Sequence, residues 1–179
     1  MVVITLSAAS NLPTIVTLTK GGTAKDGIDY NLATSTVVIL AGDTTSSVVL
    51  SALPDNLDED DETIVITMDA LIQNGVRGSP FQATTTILDD DLPPTMTLSV
   101  NPASIFEDTE TSTVTATLNV VSGRIVTVSL AKAGTATEGV DYTLAGQIVI
   151  PEGSLSASVT LLPISDTLNE DDETVVIFV

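Results

Sequence analysis

The sequence contains no cysteine, no histidine and no tryptophan. Without Cys there is neither a disulfide to staple the fold nor a thiol nucleophile, and without His the usual catalytic triads have no base. Basic residues are nearly as scarce: 5 Lys and Arg face 24 Asp and Glu, for a net charge of −19. No basic stripe is available to neutralise phosphates, which excludes a nucleic-acid binder, and the sign of the charge disfavours an anionic membrane surface. Aromatic residues are 3% of the chain, too few to wall the groove that two-carboxylate glycoside hydrolysis would need. An enzyme is not expected. No apolar run reaches the ~20 residues of a membrane helix, so no direct membrane insertion is expected. Met1 runs straight into VVITLS without the basic n-region or cleavage site of a signal peptide, so any export signal is expected to lie outside this piece. A cysteine-free β protein fits a bacterial exported or surface protein, or a cytosolic one.

What is present is apolar and β-branched. Hydrophobic residues are 43% of the chain and charged residues 16%, so a core is affordable in composition and the acid is concentrated in a few places. The densest places are two related stretches, LDEDDETIVI at Leu57–Ile66 and LNEDDETVVI at Leu168–Ile177. Each begins as an acidic loop and turns abruptly into a strand. Neighbouring carboxylates ~4 Å apart repel by about 4 kcal/mol at an effective dielectric of about 20. Such a loop needs full hydration or a counter-ion; the bland reading is a solvated acidic face that keeps the protein soluble. Its recurrence with a second motif favours the counter-ion, and calcium in particular.

That second motif is GTAKDGIDYNLA at Gly22–Ala33, repeated as GTATEGVDYTLA at Gly134–Ala145, about 110 positions later. The acidic blocks recur at an interval one residue shorter. The period is a whole small domain, which sets two repeats, 1–92 and 93–179. Within them, alternation predicts half-buried strands, most clearly at 114–120, where Val114, Ala116, Leu118 and Val120 share one face. Short strands, Gly-containing turns at roughly 8–12-residue intervals and no helical periodicity predict β-sandwiches. Gly22, Gly27, Gly134 and Gly139 are expected to serve positive φ in turns. Tyr30 and Tyr142 are expected to be core anchors. Pro93–Pro94 reads as a short, stiff linker.

The repeats differ at their ends. The second has an opening strand at 96–100 with no counterpart before Val2, and the first has a closing strand at 81–88 with no counterpart after Val179. Each sandwich is expected to lack one edge strand. The expected partners are neighbouring repeats of the same protein, or strand exchange between chains at the open edges.

Together, the paired GTAxxGxDY segments, the Gly of the AGD and PEG turns, the acidic block before DET and the DDD that ends the first repeat resemble the Calx-β domain family. That resemblance implies two tandem immunoglobulin-like antiparallel β-sandwiches. It also implies Ca²⁺ at one pole of each. Carried over, the ligands in the first repeat are Asp29, Asp55, Glu59, Glu62, Asp89, Asp90 and Asp91, with the carbonyl of Leu57. In the second they are Glu107, Asp141, Asp166, Glu170 and Glu173, with the carbonyl of Leu168. Pro54 and Ser165 stand where calcium-binding members place a further Asp, so the resemblance implies one or two ions per tip. For Asp29 and Asp141 the competing role is a turn former bonded to its own backbone.

Calcium takes 6–8 oxygens at about 2.3–2.6 Å, which no single segment here supplies, whereas three loops at one pole of a sandwich would. The expected function is a calcium-binding structural and adhesive spacer in a large extracellular or cell-surface repeat protein, its adhesion partner unspecified. A calcium-sensing regulatory pair on a membrane transporter or receptor, facing the cytoplasm, is one alternative. A ligand-binding adhesin is another.

Overall fold

The computed structural model describes residues 1–179 and is built from sixteen strands without a helix. It divides into two compact units. One comprises Met1–Asn56 and Asp60–Asp89, the other Leu57–Glu59 and Asp90–Val179.

The strands of the first unit are β1 (Val2–Thr5), β2 (Thr14–Gly22), β3 (Tyr30–Leu32), β4 (Thr36–Ile39), β5 (Thr45–Val48), β6 (Leu50–Ala52), β7 (Glu62–Met68) and β8 (Gln82–Ile87). All pairings between these strands are antiparallel. One layer holds β1 against β5 and β3 against β6; the other runs β4-β2-β7-β8. Alternation puts one face of each strand inside. In β2, Thr14, Val16 and Leu18 are buried between exposed or half-buried neighbours, and β4 buries Val37 and Ile39. These meet Ile4, Tyr30, Leu32, Val48, Ile64 and Ile66 in one core.

The second unit repeats this plan with β9 (Met96–Asn101), β10 (Ser112–Leu118), β11 (Val126–Ser129), β12 (Ala131–Gly134), β13 (Tyr142–Thr143), β14 (Gln147–Ile150), β15 (Ser156–Pro163) and β16 (Val175–Phe178). One layer runs β13-β15-β10-β9; the other pairs β11 with β14 and β12 with β16. β11 and β12, interrupted at Leu130, match the unbroken β2. The core collects Val114, Ala116, Leu118, Val128, Leu130, Tyr142, Leu144, Ile148, Ile150 and Leu161. Both motif tyrosines are thus core residues.

The edges differ between units. β10 lies between β9 and β15, whereas its counterpart β1 has β5 alone. β7 lies between β2 and β8, whereas its counterpart β16 has β12 alone. The fold is two tandem immunoglobulin-like sandwiches, each short of one edge strand.

Candidate metal centre

At one pole of the second unit three connections converge: the β9–β10 segment with Glu107 and Asp108, the β12–β13 loop with Asp141, and the β15–β16 loop from Ser165 to Glu173. The β12–β13 loop is self-supporting. The N–H groups of Val140 and Asp141 donate to the Thr137 carbonyl (3.1 and 2.9 Å), and that of Gly139 donates to the Tyr142 carbonyl (2.8 Å). The Asp141 carboxylate in turn accepts the Thr137 N–H at 2.6 Å. The next residue, Tyr142, is sunk in the core, so the alternation of the strand leaves Asp141 on the opposite side, at the pole.

The β15–β16 loop is tied to the same place. Its start is fixed where the Ile164 N–H donates to the Asp141 carbonyl at 2.8 Å. Glu107 Oε1 accepts the Asp166 N–H at 2.9 Å, and Asp166 Oδ1 accepts the Leu168 N–H at 2.6 Å. Ser165 Oγ donates to Asp108 Oδ1 at 2.5 Å. Glu107, Asp141, Glu170, Asp171, Asp172 and Glu173 border an open cavity of about 380 Å³.

The crowding has an electrostatic signature. The Glu173 carboxyl is pushed above the usual glutamate range by loss of water contact, then by the charge of Asp141 and a hydrogen bond shared with it, then by Glu170 and Glu107. Glu170 is pushed up likewise, by loss of water contact and by Asp166, Asp141 and Glu107.

The first tip is built to the same pattern. Lys25 N–H donates to Asp29 Oδ2 at 2.5 Å, Gly27 N–H to the Tyr30 carbonyl at 2.7 Å, and Leu53 N–H to the Asp29 carbonyl at 2.9 Å. Carboxylate oxygens of Asp29 and Glu62 lie within 4.8 Å of each other, while Glu59 falls with Leu57–Glu59 in the second unit. Asp29 and Asp141 therefore do bond their own loop backbone, through Oδ2, while also standing among other acids.

The remaining residues read as ligands are placed as follows. Asp55 is exposed and Leu57 half-buried. The Asp89 N–H donates to Asp61 Oδ1 at 3.0 Å, tying the end of β8 to the acidic loop. The boundary between the units falls after Asp89, leaving Asp90 and Asp91 with the second. In the second unit the Leu168 side chain points to solvent.

Three features escape the sequence reading. Asp58, one of the acidic run, is only 6% exposed. It accepts Ser122 Oγ at 3.0 Å and lies 3.5 Å from the Arg124 guanidinium, while its carbonyl accepts the Gly123 N–H at 2.9 Å. It anchors Leu57–Glu59 in the second unit. Asp61 and Asp108 accept bonds that position the loops. Finally, Lys20 pairs with Asp26 and Lys132 with Glu138, bracketing the two GTAxxGxDY loops. The lysine beside it holds the Asp26 carboxyl below the usual aspartate range. The repeated spacing of lysine and acid, six residues apart in both copies, was the available signal.

The donor set at both poles is carboxylate oxygen without imidazole or thiolate. That chemistry suits a hard cation with a flexible shell, calcium ahead of the smaller, strictly octahedral magnesium.

A family model described as the Calx-beta domain matches residues 1–91 and again residues 89–179. Nothing among curated proteins matches this chain. Among solved structures, the chain is similar to CBD12 from CALX1.2, at 22% identity and a TM-score of 0.43, covering 97% of this chain and 71% of that one. It is similar also to the calcium binding domain CBD12 of CALX1.1, at 23% identity and a TM-score of 0.44, covering 92% of this chain and 69% of that one.

Proposed function

Since this chain belongs to the Calx-beta domain family, we propose that its acidic poles bind calcium and that the pair serves as a calcium-stiffened spacer in an extracellular or cell-surface repeat protein. It is a binding and structural module, not a catalyst. The observation that carries the reading is the convergence of Glu107, Asp141, Asp166, Glu170 and Glu173 from three separate loops of the second unit. An ion among them offsets their mutual repulsion and adds to the hydrogen bonds that already tie these loops together. Each would contribute oxygen, with main-chain carbonyls and water completing the shell. The tandem repetition of one domain favours the spacer, because an array gains length and stiffness by adding copies.

The experiment is calorimetric titration of the chain and of Glu173→Gln and Glu62→Gln. Removing one charge–cation pair is worth more than ~1.4 kcal/mol at these separations, so each variant is expected to weaken binding at its own tip by about tenfold or more. Unchanged calcium affinity in both variants would overturn the ligand assignment. Affinity also separates spacer from sensor. A dissociation constant of about 10⁻⁴–10⁻³ M fits an extracellular module, while about 10⁻⁷–10⁻⁵ M fits a regulatory pair on a transporter or receptor.

A further inference from the structure

In each unit two threonines grip one another, one from the GTAxxGxDY segment and one from the DET that closes the acidic block. In the second unit the Thr174 N–H donates to Thr135 Oγ1 at 2.8 Å. The Thr135 N–H meets Thr174 Oγ1 at 3.3 Å, and the two hydroxyls lie 3.4 Å apart. The Thr174 carbonyl also accepts the N–H groups of Thr135 and Ala136, at 3.0 and 3.1 Å. Thr63 and Thr23 repeat the grip in the first unit at the same 2.8, 3.3 and 3.4 Å. There the Ala24 N–H donates to the Thr63 carbonyl at 3.1 Å. The pair sits just past the end of a ladder, which stops at Gly134 and Val175 in one unit and at Gly22 and Ile64 in the other. The chain turns at a glycine of positive φ, and the hydroxyls carry the connection on where the regular ladder stops. Thr19 and Thr97, by contrast, give a hydroxyl bond to a carbonyl across a continuing ladder.

What the pair joins belongs to the pole. Thr174 directly follows Glu173, and Thr135 opens the loop in which the Thr137 N–H donates to Asp141 Oδ2 at 2.6 Å. Glu173 and Asp141 share a hydrogen bond although their charges repel. Left to itself, an exposed acidic segment would swing its glutamate away from a second carboxylate. We propose that the Thr135–Thr174 pair positions the metal centre: it fixes the backbone of Glu173 against the Asp141 loop, so that two carboxylates from different loops face one cation before it arrives. The Thr23–Thr63 pair does the same for Glu62 and Asp29. The hydroxyls are not ligands, because each is engaged with its partner threonine. This rests on the reading of the poles as calcium sites. Held at its N–H, its hydroxyl and its carbonyl, Thr174 leaves Glu173 little more than side-chain rotation. The cost of ordering the carboxylates is thereby met on folding, and loss of the pair falls on calcium affinity.

The test is an NMR titration of the full, isotope-labelled chain with calcium, well below its melting midpoint. The Gly139 amide reports the second tip and the Gly27 amide the first. Thr135→Val and Thr174→Val each keep the side chain's shape and remove one hydroxyl without altering charge, so a changed affinity reports geometry. Each is expected to weaken calcium binding at the second tip by about tenfold and to leave the first tip as it was. The double variant is expected to bind no more weakly than the more affected single one, because either change opens the same pair. Thr135→Ser keeps the hydroxyl and is expected to bind within about twofold of the unaltered chain. Thr23→Val repeats the measurement independently at the first tip, where the Gly27 amide is expected to report the loss. A pair that only stabilised the fold would lower the midpoint in chelator and leave the affinity of the folded tip unchanged. That result overturns the proposal, as does additive loss in the double variant. If neither glycine amide of the unaltered chain responds to calcium, the reading of the poles falls and the proposal with it.

Discussion

In excess calcium the second unit is expected to melt roughly 10–20 °C above its midpoint in chelator. One site held at about 100 times its dissociation constant adds about 2.7 kcal/mol, and a domain of this size shifts by roughly 4–8 °C per kcal/mol. The pH dependence should reverse sign between the two conditions. Glu170 and Glu173 hold their protons above the ordinary glutamate range in the folded chain. Between the unfolded value and the raised folded value the native state therefore binds more protons than the unfolded state. In chelator, stability is present below the unfolded value and is lost as pH rises through the folded one. With calcium the same carboxyls must be ionised to bind, so the stabilisation grows as pH rises. Asp26, displaced in the opposite direction, changes protonation below the usual aspartate range and leaves this window undisturbed. Scanning calorimetry from about pH 7 towards about pH 5, with calcium and with chelator, checks both signs. Magnesium in place of calcium is expected to give the smaller shift. Parallel curves in calcium and chelator would mean that no ion sits at the pole.

Gly134→Ala is expected to cost about 4 kcal/mol and to leave the second unit largely unfolded at 25 °C. Gly134 lies in β12 at a φ of +126°, and an added Cβ would fall 2.0 Å from the Thr174 carbonyl oxygen and 2.8 Å from its carbon. The obstacle is the backbone of the neighbouring strand entry, which no side-chain rotation relieves. Gly22 meets Thr63 in the same way in the first unit. Gly139 is the control: its φ is +85°, yet nothing lies within 4 Å of an added Cβ. Gly139→Ala should therefore cost only the left-handed backbone penalty, about 1–2 kcal/mol. Urea melts of both variants, read against the unaltered first unit, separate close approach from backbone conformation. If the two variants lose equal stability, the steric argument fails.

Those glycines also mark how far the sequence could be read. The spacing GTAxxGxDY pointed to positive φ at Gly22, Gly27, Gly134 and Gly139, and all four have it. It did not reveal that Gly22 and Gly134 end strands with no room for a Cβ, because the obstacle is a backbone carbonyl some 40 residues away, that of Thr63 or Thr174. Local alternation located the cores, since a buried face repeats every second residue whatever its partner. The acidic run was harder. Asp58 and its exposed neighbours are equivalent by composition, and what distinguishes Asp58 is Ser122 and Arg124, remote in sequence. The grouping of Glu107 with Asp141 and Glu173 was likewise beyond periodicity and spacing; it came from resemblance to a family. The Lys20–Asp26 and Lys132–Glu138 pairs left only a repeated six-residue spacing in the sequence, and with so many acids nearby that spacing alone does not say which carboxylate each lysine meets.

Four of the five basic side chains are already engaged inside the fold: Lys20 and Lys132 with their acids, Arg124 with Asp58, and Arg77 over the Phe81 ring at 4.3 Å. The molecule therefore presents a nearly unrelieved negative field to its surroundings. On an anion-exchange column it should be retained to high salt, and calcium in the running buffer should bring it off earlier by discharging the poles.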